Sequence, residues 1–156
     1  MEITRLEAAH LAGLVEQFAE LVRDSEPDDG DPAIGRLLPS AYADEEAARE
    51  FRALTASDLL DRRLADAAVV QESLGDAATT PDDLADPAFL ETVEIRLDPP
   101  TAHAWLRTIA AIRLVLAMRL GIVEAEDHDS DDPRFGIYDW LGYRLDGLVG
   151  ALDAES

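Results

Sequence analysis

The chain has 156 residues, 47% of them hydrophobic, enough for one domain with its own core and too apolar for a disordered chain. It carries 34 acidic against 13 basic side chains, a net charge of −21, and contains neither cysteine nor lysine. These counts exclude a disulfide framework, a thiolate nucleophile and a cysteine-ligated metal centre. They also oppose nucleic acid and anionic membranes, whose binding needs clustered cations.

The opening MEITRLEAAH has no basic segment ahead of an apolar run, so no signal peptide is expected. No uncharged apolar run reaches the length that spans a bilayer, about 18 residues. The expected setting is the cytoplasm. EITRL (2–6) alternates enough for a short strand. A helix follows over 7–23, with Leu11, Leu14, Val15, Phe18, Leu21 and Val22 on one stripe. It ends in the acidic loop SEPDDGDP (25–32). A short helix over 44–54 presents Phe51 and Leu54 inward. TAS (55–57) breaks the chain, and Ser57 caps a third helix over 58–74 with Leu60, Leu64, Ala67, Ala68 and Leu74 as its inner face. Loop signals fill 75–90, with one helical turn around 82–89.

TVEIRL (92–97) alternates Val93, Ile95 and Leu97 and reads as a second strand. Asp98 then caps a long helix with Pro99 at its first position, ending at Leu120 before Gly121. A second acidic loop, EAEDHDSDD (124–132), leads through Asp132 and Pro133 into a last helix that runs to about Leu152. An echo links the two strand-then-helix units. At an offset of 91, Leu6 meets Leu97, Leu14 meets Trp105, Phe18 meets Ile109 and Leu21 meets Ile112. The two strands are therefore candidates to pair. The fold expected is mainly α: a single domain over 1–156 of about five helices around the central helix 99–120, with a small two-stranded sheet.

That central helix is apolar almost all round, the mark of a buried helix. Arg113 projects close to its main stripe, Trp105, Ile109, Ile112, Leu116 and Leu120. A guanidinium there needs a match, because a lone buried charge is costly. Arg113 is thus a candidate structural ion pair, with Asp58, Asp139 or Asp146 as partner.

FGIYDWLGY (135–143) concentrates the aromatic residues, with glycines at 136, 142, 147 and 150. On a helical wheel Ile137, Tyr138, Leu141, Leu145, Leu148, Val149 and Leu152 share one face. Trp140 and Tyr143 lie on the other, near Gly136, Gly147 and Gly150. Each helical glycine costs about 1 kcal/mol relative to alanine, so something should offset it. Either another helix of the chain packs there, or Trp140, Tyr143, Gly136 and Gly147 form a surface for a protein partner or a second copy of the chain. Aromatic residues anchor such surfaces.

No reaction is legible. Asp127, Asp129 and Asp131 have EF-hand spacing, but Asp132 stands where glycine is required and Tyr138 where the closing Glu is required. DSEPDDGD (24–31) fails in the same way. His10, His103 and His128 share no ligand spacing, no GxSxG occurs, and no phosphate-cradling glycine pattern follows either strand. No metal, no cofactor and no enzyme activity are expected. A helix-turn-helix is the alternative, with 44–54 and 58–74 joined by TAS. Its reading helix would place Arg62 and Arg63 among Asp58, Asp61 and Asp66, which disfavours direct contact with DNA.

The segments LLPSAY, EFRALT, AWLRTIAAIRL, RLGI and YDWL run through 36–64, 96–122 and 131–149. In them the chain resembles the AosR-like actinobacterial domain family of unknown function, one branch of which is an oxidative-stress transcriptional regulator. The resemblance covers nearly the whole chain. It implies a cytoplasmic, mostly helical regulator. In the named branch, regulation depends on cysteine oxidation and on partnership with a stress sigma factor. This chain has no cysteine, so a thiol–disulfide switch within it is chemically excluded, and Met1 and Met118 are its only sulfurs. Family genes tend to lie beside the adaptor of the Clp protease, so an accessory role near Clp-dependent proteolysis is a further alternative. The function expected is that of a non-enzymatic regulatory protein acting through protein–protein contact.

Overall fold

A computed structural model describes residues 1–24, 45–79, 81–83, 85–122 and 131–155, with backbone only at 45–54, 134 and 155. Strand β1 (Glu2–Thr4) leads directly into helix α1 (Arg5–Asp24). Helix α2 spans Glu45–Leu74 and β2 spans Thr92–Glu94. Helices α3 (Pro99–Leu120) and α4 (Gly136–Glu155) complete the order. Short 3-10 turns stand at Gly75–Ala78, Pro87–Leu90 and Pro133–Phe135.

The chain is mainly helical with one small two-stranded sheet, as expected, and the two strands run antiparallel. Ile3 stands opposite Val93, with Glu2 against Glu94 and Thr4 against Thr92. Two bonds extend the ladder beyond the strands: Ile95 N–H donates to the Met1 carbonyl at 2.8 Å, and Arg5 N–H to that of Glu91 at 3.0 Å. Ile3 and Ile95 point into the core, which anchors the sheet beneath the helices. β1 is shorter than 2–6 because Thr4 already caps α1, and β2 is shorter than 92–97.

α2 packs on α1, α3 packs on α2, and α4 packs on α3. Helix 99–120 is thus central, as its composition implies. Trp105, Ile109, Ile112 and Val115 are buried, and Ala102, Ala104, Ala111 and Ala117 let neighbours approach on its other sides. Its ends follow local chemistry. Asp98 Oδ1 accepts from Thr101 N–H at 2.9 Å. Gly121 takes the left-handed conformation, φ 76°, and Ile122 N–H closes back on the Ala117 carbonyl at 2.8 Å. Ile122, Phe135 and Ala117 then form a small second cluster. Between helices, Gln71 donates to the Ala12 carbonyl at 2.9 Å, and Arg107 forks onto Asp66 with two bonds of 2.8 Å.

Three expectations need correction. The two helices expected over 44–54 and 58–74 are one helix, Glu45–Leu74, so the main helices number four among the described residues and the Thr55-Ala56-Ser57 turn does not exist. Those residues carry only modest helix penalties, no glycine or proline intervenes, and Ala56 is buried, which holds the helix through the segment. The helix-turn-helix loses the turn on which it depended. On α2, Leu60, Ala67 and Leu74 are buried and Leu64 packs against the core, as expected, but Ala68 is exposed and Val70 takes its place in the core. On α4, Ile137 and Val149 are exposed and Trp140 is half-buried. The acidic loop 25–32 and the Asp127 and Asp129 pair lie outside the described residues, as do the side chains of Phe51 and Leu54. No described helix is long and apolar enough to cross a membrane.

Candidate functional site

The site grows from a four-residue signature at the start of α1. Thr4-Arg5-Leu6-Glu7 is a capping box. Glu7 N–H donates to Thr4 Oγ1 at 3.2 Å, and Glu7 Oε2 accepts from Thr4 N–H at 2.9 Å and from its hydroxyl at 3.1 Å. The other carboxylate oxygen faces α4. Glu7 Oε1 accepts from Trp140 Nε1 at 2.9 Å and from Arg144 Nη2 at 2.9 Å. Arg144 Nη1 donates to the Glu2 carbonyl at 2.9 Å. One carboxylate therefore caps α1 and ties α4 to the β1–α1 corner.

The electrostatics follow from that crowding. Burial pushes the Glu7 carboxyl up, but the Thr4 N–H, Trp140 and Arg144 outweigh it and hold it at about 2, well below its ordinary 4.5. The Arg144 guanidinium also lies 5.9 Å from the Trp140 ring centroid and 5.6 Å from that of Tyr143. Its Nε is buried without a partner.

The residues singled out in the sequence separate into two sets. Trp140 is part of the tie: its indole N–H is committed to Glu7, and its ring packs at the edge of the core. Tyr143 is 70% exposed. A Cβ added at Gly136, Gly147 or Gly150 would meet nothing within 4 Å, so no helix of the described chain uses the space these glycines leave. Gly142 differs, because a Cβ there would sit 3.0 Å from Arg113 Nη2. Arg113 lies on the α3 side of α4, with Nε donating to the Tyr138 carbonyl at 3.3 Å and the guanidinium carbon 4.0 Å from the Tyr138 ring centroid. The close approach that the glycines suggested is made by a guanidinium at Gly142.

Two grooves flank this tie. One, of about 470 Å³, lies between α1 and the first turns of α4 and is lined by His10, Gly13, Leu14, Gly136, Ile137 and Trp140 among others. The other, of about 530 Å³, lies beside the second half of α4, where Met1, Leu97 and Ala102 face Tyr143, Leu148 and Leu152. Sequence reading missed Glu7 and Arg144. The capping box was visible in Thr4-x-x-Glu7; the second use of the carboxylate, across 137 residues of chain, was not.

No curated protein and no solved structure matches the chain. The model of a family described as a domain of unknown function, DUF2017, matches residues 1–152. A match over nearly the whole length shows kinship, and the chain belongs to the DUF2017 family.

Proposed function

We propose that the chain is a non-enzymatic regulatory protein that acts by holding another protein against the outer face of α4, with Tyr143, Gly136 and Gly147 on the contact and Trp140 at its edge. The observation that carries this is the 70% exposure of the Tyr143 ring on a helix whose opposite face, Leu141 and Leu148, is buried core. A large amphipathic ring standing in solvent beside open glycines is what an interface supplies with a partner. The glycines add to it, since each lowers helix stability by about 1 kcal/mol and leaves room for a second backbone. The charge of −21 favours a basic protein surface over nucleic acid.

The regulatory part of the proposal, with its cytoplasmic setting and its place among AosR-like oxidative-stress regulators, rests on the resemblance of LLPSAY, EFRALT, AWLRTIAAIRL, RLGI and YDWL. In this chain such regulation proceeds without a thiol switch, because there is no thiol. The test is affinity capture with wild type and a Tyr143→Asp variant, followed by titration of any captured protein in purified form. A partner that binds wild type and loses affinity at least tenfold with Tyr143→Asp supports the reading. Equal binding by both would remove Tyr143 from function.

A further inference from the structure

The outer face of α4 has a register. Gly136, Trp140, Tyr143, Gly147, Gly150 and Ala154 follow one another at steps of four, three, four, three and four, the spacing of the seam positions in a coiled coil. All but Trp140, which is half-buried, are exposed. Asp139, Asp146 and Asp153 each precede a seam residue and recur at seven-residue intervals, so they form one acidic row along one flank of the seam. Asp146 and Asp153 are exposed. Along α4, the two grooves follow one another, at 136–140 and then at 143–152. Together they extend over roughly 24 Å at 1.5 Å per residue, about four to five helical turns.

We propose that this face receives one α-helix of a partner protein, amphipathic and basic, lying alongside α4 in coiled-coil register. This deepens the reading of α4 as a protein-contact face and rests on it. Bulky apolar side chains of the incoming helix pack over Gly147 and Gly150 and into the grooves, while its arginines or lysines meet the row Asp139, Asp146 and Asp153. Charges flanking a seam decide which helix pairs with which. A second copy of α4 is a poor occupant. In antiparallel pairing the two aspartate rows face each other; in parallel pairing Asp146 faces Ala151, which offers no charge, and Asp139 faces Arg144, whose guanidinium is already held by Glu7 and the Glu2 carbonyl. The row acts through its field, so membership does not require each aspartate to be unpaired.

The test uses the whole chain and a labelled synthetic peptide of 18 residues, with leucine at the seam positions and arginine at both flanks. A scrambled peptide of identical composition and a version with glutamate for arginine serve as probes of register and sign. The basic peptide is expected to bind at least tenfold more tightly than the scramble, with affinity falling as salt rises. Reversing the row with Asp139→Arg, Asp146→Arg and Asp153→Arg is expected to cost the basic peptide roughly tenfold, from three flank pairs each of modest strength, and to gain the acidic one. An Asp146→Arg, Asp153→Arg double variant changes only exposed positions and covers the event that the triple variant misfolds.

Equal binding of basic and scrambled peptides would reduce the effect to bulk charge and overturn the proposal. So would a preference that fails to invert in a folded charge-reversed variant, or dimerisation of the wild type that Tyr143→Asp abolishes. A natural partner that needs Tyr143 but binds the charge-reversed variant unchanged would overturn the basic helix alone and leave the protein-contact reading standing. A chain with no Tyr143-dependent partner would lose both.

Discussion

Trp140 Nε1 donates to Glu7 Oε1 at 2.9 Å, across 133 residues of sequence. That bond joins the first turn of α1 to the early turns of α4, and the same carboxylate caps α1 at Thr4. It fixes which face of α4 points outward. Trp140 turns toward the β1–α1 corner, and Tyr143 is left in solvent.

Glu7→Ala removes a cap and leaves the Trp140 and Arg144 donors without their acceptor. Loss of about 2–3 kcal/mol of stability is expected, from the cap and the orphaned donors together. Urea denaturation followed by far-UV circular dichroism measures it. Glu16→Ala, at an exposed position later on the same helix, should leave the midpoint almost unmoved.

The pH dependence has a defined sign. The Glu7 carboxyl is depressed from 4.5 to about 2 in the folded chain. Its contribution is therefore fully present above pH 4.5 and is lost as pH falls toward 2. After allowance for solvent screening, that loss is about 1–2 kcal/mol. Asp98, lowered by its bonds to Thr101, loses its contribution in the same direction on acidification. Denaturation curves between pH 6 and 2.5 should show a shallower acid slope in Glu7→Gln than in wild type. An unchanged slope would mean that Glu7 is not the depressed group.

Gly147→Ala and Gly142→Ala should differ although the two sites lie on one helix. Space is open at Gly147, so the methyl group brings only helix propensity, a gain of about 0.5–1 kcal/mol. At Gly142 the methyl group would press on the Arg113 guanidinium, which is seated on Tyr138. Gly142→Ala should yield less than Gly147→Ala, and the deficit should shrink in an Arg113→Ala background. Thermal melts of the four variants form the double-mutant cycle that reads it.

Ser57→Pro tests the continuity of α2. In mid-helix, proline removes a backbone bond and clashes with the preceding turn, so destabilisation of about 3 kcal/mol is expected. A chain with a loop at Thr55-Ala56-Ser57 would absorb the same change with little loss. Chemical denaturation distinguishes the two outcomes.

Elements fixed by neighbouring residues were readable from the sequence. The start of α3 is written in Asp98-Pro99 and its end in Gly121, and both stand where that chemistry puts them. The two strands were legible from the alternation of Val93 and Ile95 and from the short EITRL. What failed depended on distant partners. Thr55-Ala56-Ser57 resembles a break when read locally, and burial of Ala56 removes it. Apolar periodicity placed Ile137 and Val149 inside, because it has no means of knowing that Glu7 recruits Trp140 and Arg144 from the other end of the chain. The sequence left open whether the face of Trp140 and Tyr143 is covered by another helix of the chain; Tyr143, Gly136 and Gly147 are exposed, and Trp140 is drawn into the tie.

The central claim is that the Tyr143 face of α4 meets another protein. The most direct measurement is site-specific photocross-linking in living cells, with a benzophenone side chain in place of Tyr143 and, as control, in place of the exposed Ala68 on α2. A discrete adduct formed from position 143 and absent from position 68 is the expected result. Identical patterns from both positions, or no adduct from 143 at an expression level where the protein is folded, would contradict a protein-binding role for this face.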